Sequence, residues 1–345
     1  MRREPPAVQT GGRRDAMGAM TRLGYQIPNF SYPDTGPAEL FGVVARQAAE
    51  ADRSGFDTVL VMDHFYQLPM LGRPEDYMVE CYTLLAGLAA VTSEVRLSAL
   101  VTGNTYRNPA VLAKTVTALD IVSGGRAQLG IGAGWFELEH EAFGIQFGTF
   151  TDRFEKLEEA LQIILPLLRG EEVSLDGKHY QVRDAVNSPP PVGSIPVMIG
   201  GGGERKTLRM VVQYADESNL IAERADIGRK LDALAGHCQR LGRDRSEITV
   251  SWQRTVCVAP TAEEAERELV EGFGRRGLDL GAMGEEQRAG IAAMVITGDP
   301  DTVGERLAED LALGVDGFTI NLPFNGHIPE RVALLGETAA AVVGS

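Results

Sequence analysis

The chain has little of what would staple or metallate it. Three cysteines, Cys81, Cys238 and Cys257, occur in 345 residues. They are odd in number, scattered and without CxxC spacing, which excludes a disulfide scaffold and points to reduced thiols. None of the five histidines belongs to an HExxH pair or stands at zinc-finger spacing from a cysteine, so no metal site is expected. A GxSxG elbow and a Walker A loop are also missing. No apolar run approaches the ~18 residues of a membrane span. Positive charge is scarce: 33 Lys and Arg stand against 48 Asp and Glu, a net charge of −15. Such a surface repels phosphate backbones and anionic bilayers, so neither nucleic acid nor membrane is an expected partner. A phosphate-bearing ligand must be held locally, by backbone N–H groups or a few basic side chains. Residues 1–20 lack the apolar core of a secretory signal. They are expected to be a disordered leader, with Met17 or Met20 as candidate starts, and the protein is expected in the cytoplasm.

What is there is an ordinary globular composition, 44% hydrophobic and 23% charged, laid out in alternation. Short aliphatic or β-branched runs fall at 22–27, 58–62, 95–101, 127–131, 196–199, 217–221, 248–258 and 317–321. Helical patterns separate them. At 37–53, Leu40, Val43, Val44 and Ala48 share one face. The pattern at 109–121 has Pro in its first turn. A helix over 152–168 is expected, capped by Thr151 or Asp152. Eight such units predict an α/β fold, a (β/α)8 TIM barrel spanning 21–345, with an open doubly wound sheet as the competitor. Two excursions interrupt it. In 172–195, two short strands around Asp176-Gly177 predict a β-hairpin. The stretch 274–297 begins Gly-rich and reads as irregular.

A barrel carries its chemistry at the C-terminal ends of its strands. After the first run come Phe30 and Tyr32. After the second comes Asp63-His64-Phe65-Tyr66. His64 is a candidate proton donor or acceptor, because imidazole titrates near neutrality. Asp63 either orients it or, on the opposite strand face, bonds elsewhere. After the third run, Ala99 to Thr102 are small enough for a ring to approach. After the fourth, Gly130, Gly132 and Gly134 fall short of GxGxxG but would let a flat cofactor lie against the backbone, with Trp135 as a wall. After the fifth, Gly200 to Gly203 open a helix beside Arg205, Lys206 and Thr207. Exposed N–H groups and the helix dipole make this a phosphate site. Trp252, Arg254, Asn321 and His327 are further pocket candidates. His140, His179 and His237 read as structural. The set describes a flat, phosphate-bearing redox cofactor beside a histidine.

With these residues in view, the chain resembles the luciferase-like monooxygenase superfamily, and within it the deazaflavin (coenzyme F420)-dependent oxidoreductases. The resemblance rests on TVLVMDHF (58–65), YRNPAVLAKTVTALDIVSGGRAQLGIGAGW (106–135), EHEAFG (139–144) and IGGGGERKTLRMVVQYAD (199–216). It implies a luciferase-like TIM barrel with the cofactor ring over the mouth, and hydride transfer between the deazaflavin C5 and a carbon of a small-molecule substrate. His64 would be the catalytic residue. Asp63, Ala99, Leu100, Thr102, Gly132, Gly134, Gly201, Gly202, Gly203 and Thr207 would line the cofactor. A non-proline cis peptide between Ala99 and Leu100 would back its central ring. Phe30, Tyr66, Trp135 and Trp252 would surround the substrate. Trp135 and Phe30 stand where the family's sugar-phosphate dehydrogenases carry acids, so oxidation of glucose 6-phosphate is not expected and a hydrophobic or aromatic substrate is. The alternative is an FMN-dependent monooxygenase that uses O2 and receives reduced FMN from a partner reductase. A non-catalytic binder on a decayed barrel is the third reading. A homodimer is expected from the resemblance.

Overall fold

The computed structural model describes residues 21–344; the expected leader at 1–20 lies outside them. In chain order the strands are β1 (Leu23–Ile27), β2 (Thr58–Val61), β3 (Arg96–Ala99), β4 (Thr102–Gly103), β5 (Ala127–Gly132) and β6 (Val173–Asp176). They continue as β7 (Gln181–Ala185), β8 (Val197–Gly200), β9 (Glu217–Leu220), β10 (Thr249–Val258), β11 (Val295–Gly298) and β12 (Gly317–Asn321). Parallel pairing runs β1-β2-β3-β5-β8-β9-β10-β12 and returns to β1, which closes the expected eight-stranded barrel. Every residue of β1, β2, β5, β9 and β12 is buried. That is the signature of parallel strands covered by helices outside and side chains inside.

Local signals set the helices. Helix Pro37–Arg53 has Pro in its first turn and buries the predicted face. Helix Pro109–Ser123 is capped by the Asn108 side chain and stops at Gly124 with φ 70°. Helix Phe150–Leu168 starts earlier than expected. Thr149 is the cap and Asp152 closes a capping box from inside the first turn.

The first excursion contains the antiparallel hairpin β6–β7. The second is not irregular throughout: it holds helix Glu285–Met294 and β11. β10 is long enough to pair beyond the barrel. Its first half sits in the barrel, and its second half, from Thr255 to Val258, pairs with β11. This outgrowth has a small core of its own, including Cys257, Leu269, Phe273 and Phe324, at the C-terminal end of the barrel. No helix among the described residues is long and apolar enough to cross a membrane. All three cysteines are free and buried.

Candidate active site

The floor of the mouth is built by glycines. A Cβ on Gly130, in β5, would lie 2.0 Å from the Ala99 carbonyl oxygen, so only glycine allows β3 to end against β5 there. The non-proline cis peptide lies between Leu100 and Val101, one residue beyond the expected position. The reason is pairing: the Leu100 amide still donates to the Val61 carbonyl (2.8 Å), so the chain leaves the strand only after Leu100. Leu100 then packs inward with Leu60 and Met198, with half-buried Val101 against them. Cβ atoms on Gly132 and Gly200 would meet the Val101 methyls at 2.9 and 2.7 Å. The space expected over Gly132 is therefore filled by Val101, a floor residue that the sequence did not single out. Thr102 is buried, with its hydroxyl bonded to Tyr82 (2.6 Å). Gly134 has φ 81° and lies against Thr105.

Asp63 and His64 separate as strand geometry predicts. Asp63 is buried, receives both Arg107 nitrogens (2.6 and 2.9 Å) and accepts from the Gly103 amide (3.0 Å). Arg107 also reaches Glu80 (2.6 Å), the N-cap of helix Cys81–Ala89. Asp63 thus ties β2 to β4 through its protein partners, and it does not orient His64.

That task falls to Glu139, whose role sequence reasoning missed. It lies in helix Glu137–Ala142 and is fully buried. Its Oε1 accepts from the amides of Phe65 (2.6 Å) and Tyr66 (2.8 Å). Its Oε2 pairs with His64 Nδ1 (2.9 Å) and accepts from the Tyr106 hydroxyl (2.5 Å). Burial by itself would raise this carboxyl; the donors from His64, Tyr106 and the Tyr66 amide outweigh it and hold the group below the usual glutamate range. A carboxylate only accepts, so His64 Nδ1 carries the hydrogen. Nε2 has no partner among the described residues. Burial and the Glu139 charge keep the Tyr106 phenol protonated by pushing it far up.

Around His64 stand aromatic rings. Trp135 and Phe136 stack on each other (5.1 Å) and both meet the imidazole edge-on at 5.9 Å. Tyr66 and Phe65 pack on Phe143. Trp135 is 60% exposed, an open wall beside the His64 ring. The other two expected pocket residues are elsewhere. Phe30 and Trp252 are fully buried in the main core, and Trp252 Nε1 donates to the Ala222 carbonyl (3.1 Å). Both belong to the core rather than to the open mouth around Trp135. His140 is structural as expected: Nδ1 donates to the Phe136 carbonyl and Nε2 accepts from Thr105.

After β8, Gly201 takes φ 118° and donates to the Asn219 carbonyl (2.9 Å). The amides of Gly202, Gly203 and Glu204 have no acceptor among the described residues. They precede helix Thr207–Tyr214, whose first residue is buried. A Cβ on Gly203 would lie 2.8 Å from the Thr207 hydroxyl, so the turn is open only because glycine stands there. Lys230 Nζ, from helix Ile227–Leu241, donates to the Gly202 carbonyl (2.7 Å) and pairs with the Glu204 carboxylate (3.8 Å). Unbonded amides, a helix start, a hydroxyl and a lysine fit a phosphate group.

Known proteins bear on this geometry. The family model described as luciferase-like monooxygenase matches residues 21–317. An F420-dependent glucose-6-phosphate dehydrogenase of Microbacterium testaceum is 28% identical over 339 residues, covering 92% of this chain and 95% of that protein. The pyrimidine monooxygenase RutA of Agrobacterium fabrum is 32% identical over 173 residues, 49% of this chain and 47% of that protein. A type II Baeyer–Villiger monooxygenase component from Pseudomonas putida, solved with FMN, superposes with TM-score 0.72 at 18% identity, covering 94% of this chain and 99% of that one. A closed barrel, its glycine-built mouth and a family match over most of the chain thus agree that this protein belongs to the luciferase-like monooxygenase family and is an oxidoreductase.

Proposed function

We propose that the protein is a coenzyme F420-dependent oxidoreductase acting on a small organic substrate with an apolar or aromatic body. The observation that carries this is His64: its Nδ1–H is committed to an ionised Glu139, and its Nε2 is unbonded at the mouth of the barrel. The relative aligned over 92% of the chain is named as F420-dependent, which supports the same cofactor here. When bound, the deazaflavin would supply or accept hydride at C5. The amides of Gly202, Gly203 and Glu204, with Thr207 and Lys230, would hold its phosphate, and Val101 would support its ring. His64 Nε2 takes a proton from the substrate in oxidation, or gives one as imidazolium in reduction. The proximity of Glu139 stabilises that imidazolium, and Tyr106 holds Glu139 in place. Trp135, Phe136 and Tyr66 exclude water and position the apolar body.

Paired titrations test the reading. Coenzyme F420 is expected to bind tightly and FMN weakly, with turnover under anaerobic conditions. Tight FMN binding with oxygen consumption would overturn it in favour of a monooxygenase fed by a partner reductase, a reading favoured by the FMN-bound structural relative. The expected homodimer has a fitting surface in helix Pro109–Ser123, where Val111, Ile121 and Val122 are exposed.

A further inference from the structure

At the same end of the barrel, a cleft of about 70 Å3 opens between the loops after β1 and β12 and the segment that follows helix Ala262–Arg275. Asn29, Tyr32, Gln67, Arg275, Arg276 and His327 are among the residues that line it. Gln67, three residues past His64, donates to the Pro28 carbonyl (3.3 Å) and joins the cleft to the His64 loop. One water needs on the order of 10–15 Å3, so a carboxylate or phosphoryl group has room here.

The arginines are the unusual part. Arg275 donates to the Phe324 carbonyl (2.7 Å). Arg276 donates to the Pro323 carbonyl (2.9 Å) and lies over the Phe324 ring at 4.6 Å. All of these acceptors are neutral. Neither guanidinium has a carboxylate within ion-pair distance among the described residues; Arg126 and Arg153 share that state but bond neutral oxygens away from this cleft, whereas Arg107, Arg209, Arg254 and Arg331 each have a carboxylate. Nη1 of Arg276 is buried and has no hydrogen-bond partner. Asn29 is only 8% exposed, and its side-chain amide also bonds to nothing among the described residues. Asp76 is the one acid in the lining, and its carboxylate is engaged by the amide (2.8 Å) and guanidinium (3.4 Å) of Arg73. His327 stacks on Tyr32 at 5.8 Å and closes the side. Burial and the neighbouring Arg275 push the Arg276 guanidinium down to about 10, against the opposing charge of Asp76 across the cleft. In a chain of net charge −15, this is a local reversal of sign.

We propose that the cleft is an oxyanion subsite, in which Arg275, Arg276 and Asn29 hold a carboxylate or phosphoryl group carried by the substrate. Assigning the occupant to the substrate rests on the oxidoreductase reading above; the affinity for an anion does not. With the aromatic wall at Trp135, the subsite describes a substrate that has an apolar body and one acidic group.

The test titrates the full chain calorimetrically with inorganic phosphate and with acetate, and fluorimetrically with coenzyme F420. Arg275→Gln, Arg276→Gln and Arg276→Lys are compared with the unmodified protein. The glycine turn is common to all four, so any anion binding lost in a variant belongs to the cleft. Anion binding is expected to weaken about ten- to a hundredfold in each Gln variant. It should return to within a few fold in Arg276→Lys, with F420 affinity unchanged throughout. The stronger of the two anions identifies the group. Equal anion binding in all four proteins overturns the subsite. F420 affinity falling together with anion binding overturns the assignment to substrate and gives the cleft to the cofactor. Anion binding that follows the arginines in a protein that never binds F420 keeps the anion site and overturns the F420-dependent reading. Asn29→Ala, which removes no charge, carries the same test if an arginine variant does not fold.

Discussion

Glu139 and Glu217 are equally hidden from solvent, one at each end of the barrel, yet they differ in charge. Glu139, at the mouth, has four donors on two oxygens and sits below the usual glutamate range. Glu217 opens β9 at the closed end. Its Oε1 accepts from the Thr21 amide (2.9 Å) and the Gln128 side chain (2.7 Å), and its Oε2 has no partner. Burial, with Asp57 nearby, pushes it up to about 7. Burial raises both carboxyls; it prevails at Glu217 and is outweighed by the donors at Glu139. The number and kind of donors decide the ionisation. At the mouth of the barrel the buried charge is fully satisfied and fixes the orientation of His64.

The comparison can be broken most sharply at the mouth. His64→Ala is expected to lower kcat by about 10²–10⁴-fold while cofactor affinity stays within a few fold. Unchanged kcat in steady-state assays would remove His64 from the chemistry. At the closed end, Glu217→Gln separates cost from function. Because the folded pKa of about 7 lies above the ordinary glutamate value of 4.5, the stability this group lends is present below 4.5 and lost as pH rises through 7. The variant should therefore gain on the unmodified chain between pH 5 and pH 8, by roughly 3 kcal/mol at most, with little effect on kcat. Denaturant melts at the two pH values check this, and a pH-independent difference would contradict it.

Returning to the mouth, Glu139→Gln keeps the shape and loses the charge. It is expected to lower kcat about 10–100-fold with cofactor affinity unchanged. A loss seen only in KM would mean that Glu139 orders the loop without acting on His64. The smallest effect is expected at the glycine turn. Thr207→Val removes one hydroxyl and should weaken cofactor binding by about 1 kcal/mol, roughly fivefold, in fluorescence titrations. No change would show that the backbone alone holds the phosphate.

Much of this architecture can be read from one chain. β12 spans the residues expected, and the hairpin forms around Asp176-Gly177. Both follow from local signals, an aliphatic run and a turn dipeptide. β11 was hidden because its four residues are short and its partner is the outer half of β10, more than thirty residues away. At the site, His64 and the glycine turn were legible because each is a residue type with one obvious use. Phe30 and Trp252 were misplaced because a strand-end aromatic can face the mouth or the core, and neighbouring sequence does not say which. Glu139 was quoted in a motif and given no role. Its partners at 64, 65, 66 and 106 come together only when the barrel closes. An acid set between Trp135-Phe136 and Phe143 was the available signal.

The Glu139 anchor has a consequence for engineering. The helix that holds it begins two residues after Trp135, so one short helix ties the Trp135 wall to the His64 imidazole. Exchanging residues 133–148 to change selectivity would therefore detune catalysis even if every new wall residue suited its ligand. A productive graft would carry residues 64–66, Tyr106 and Glu139 as a single cassette.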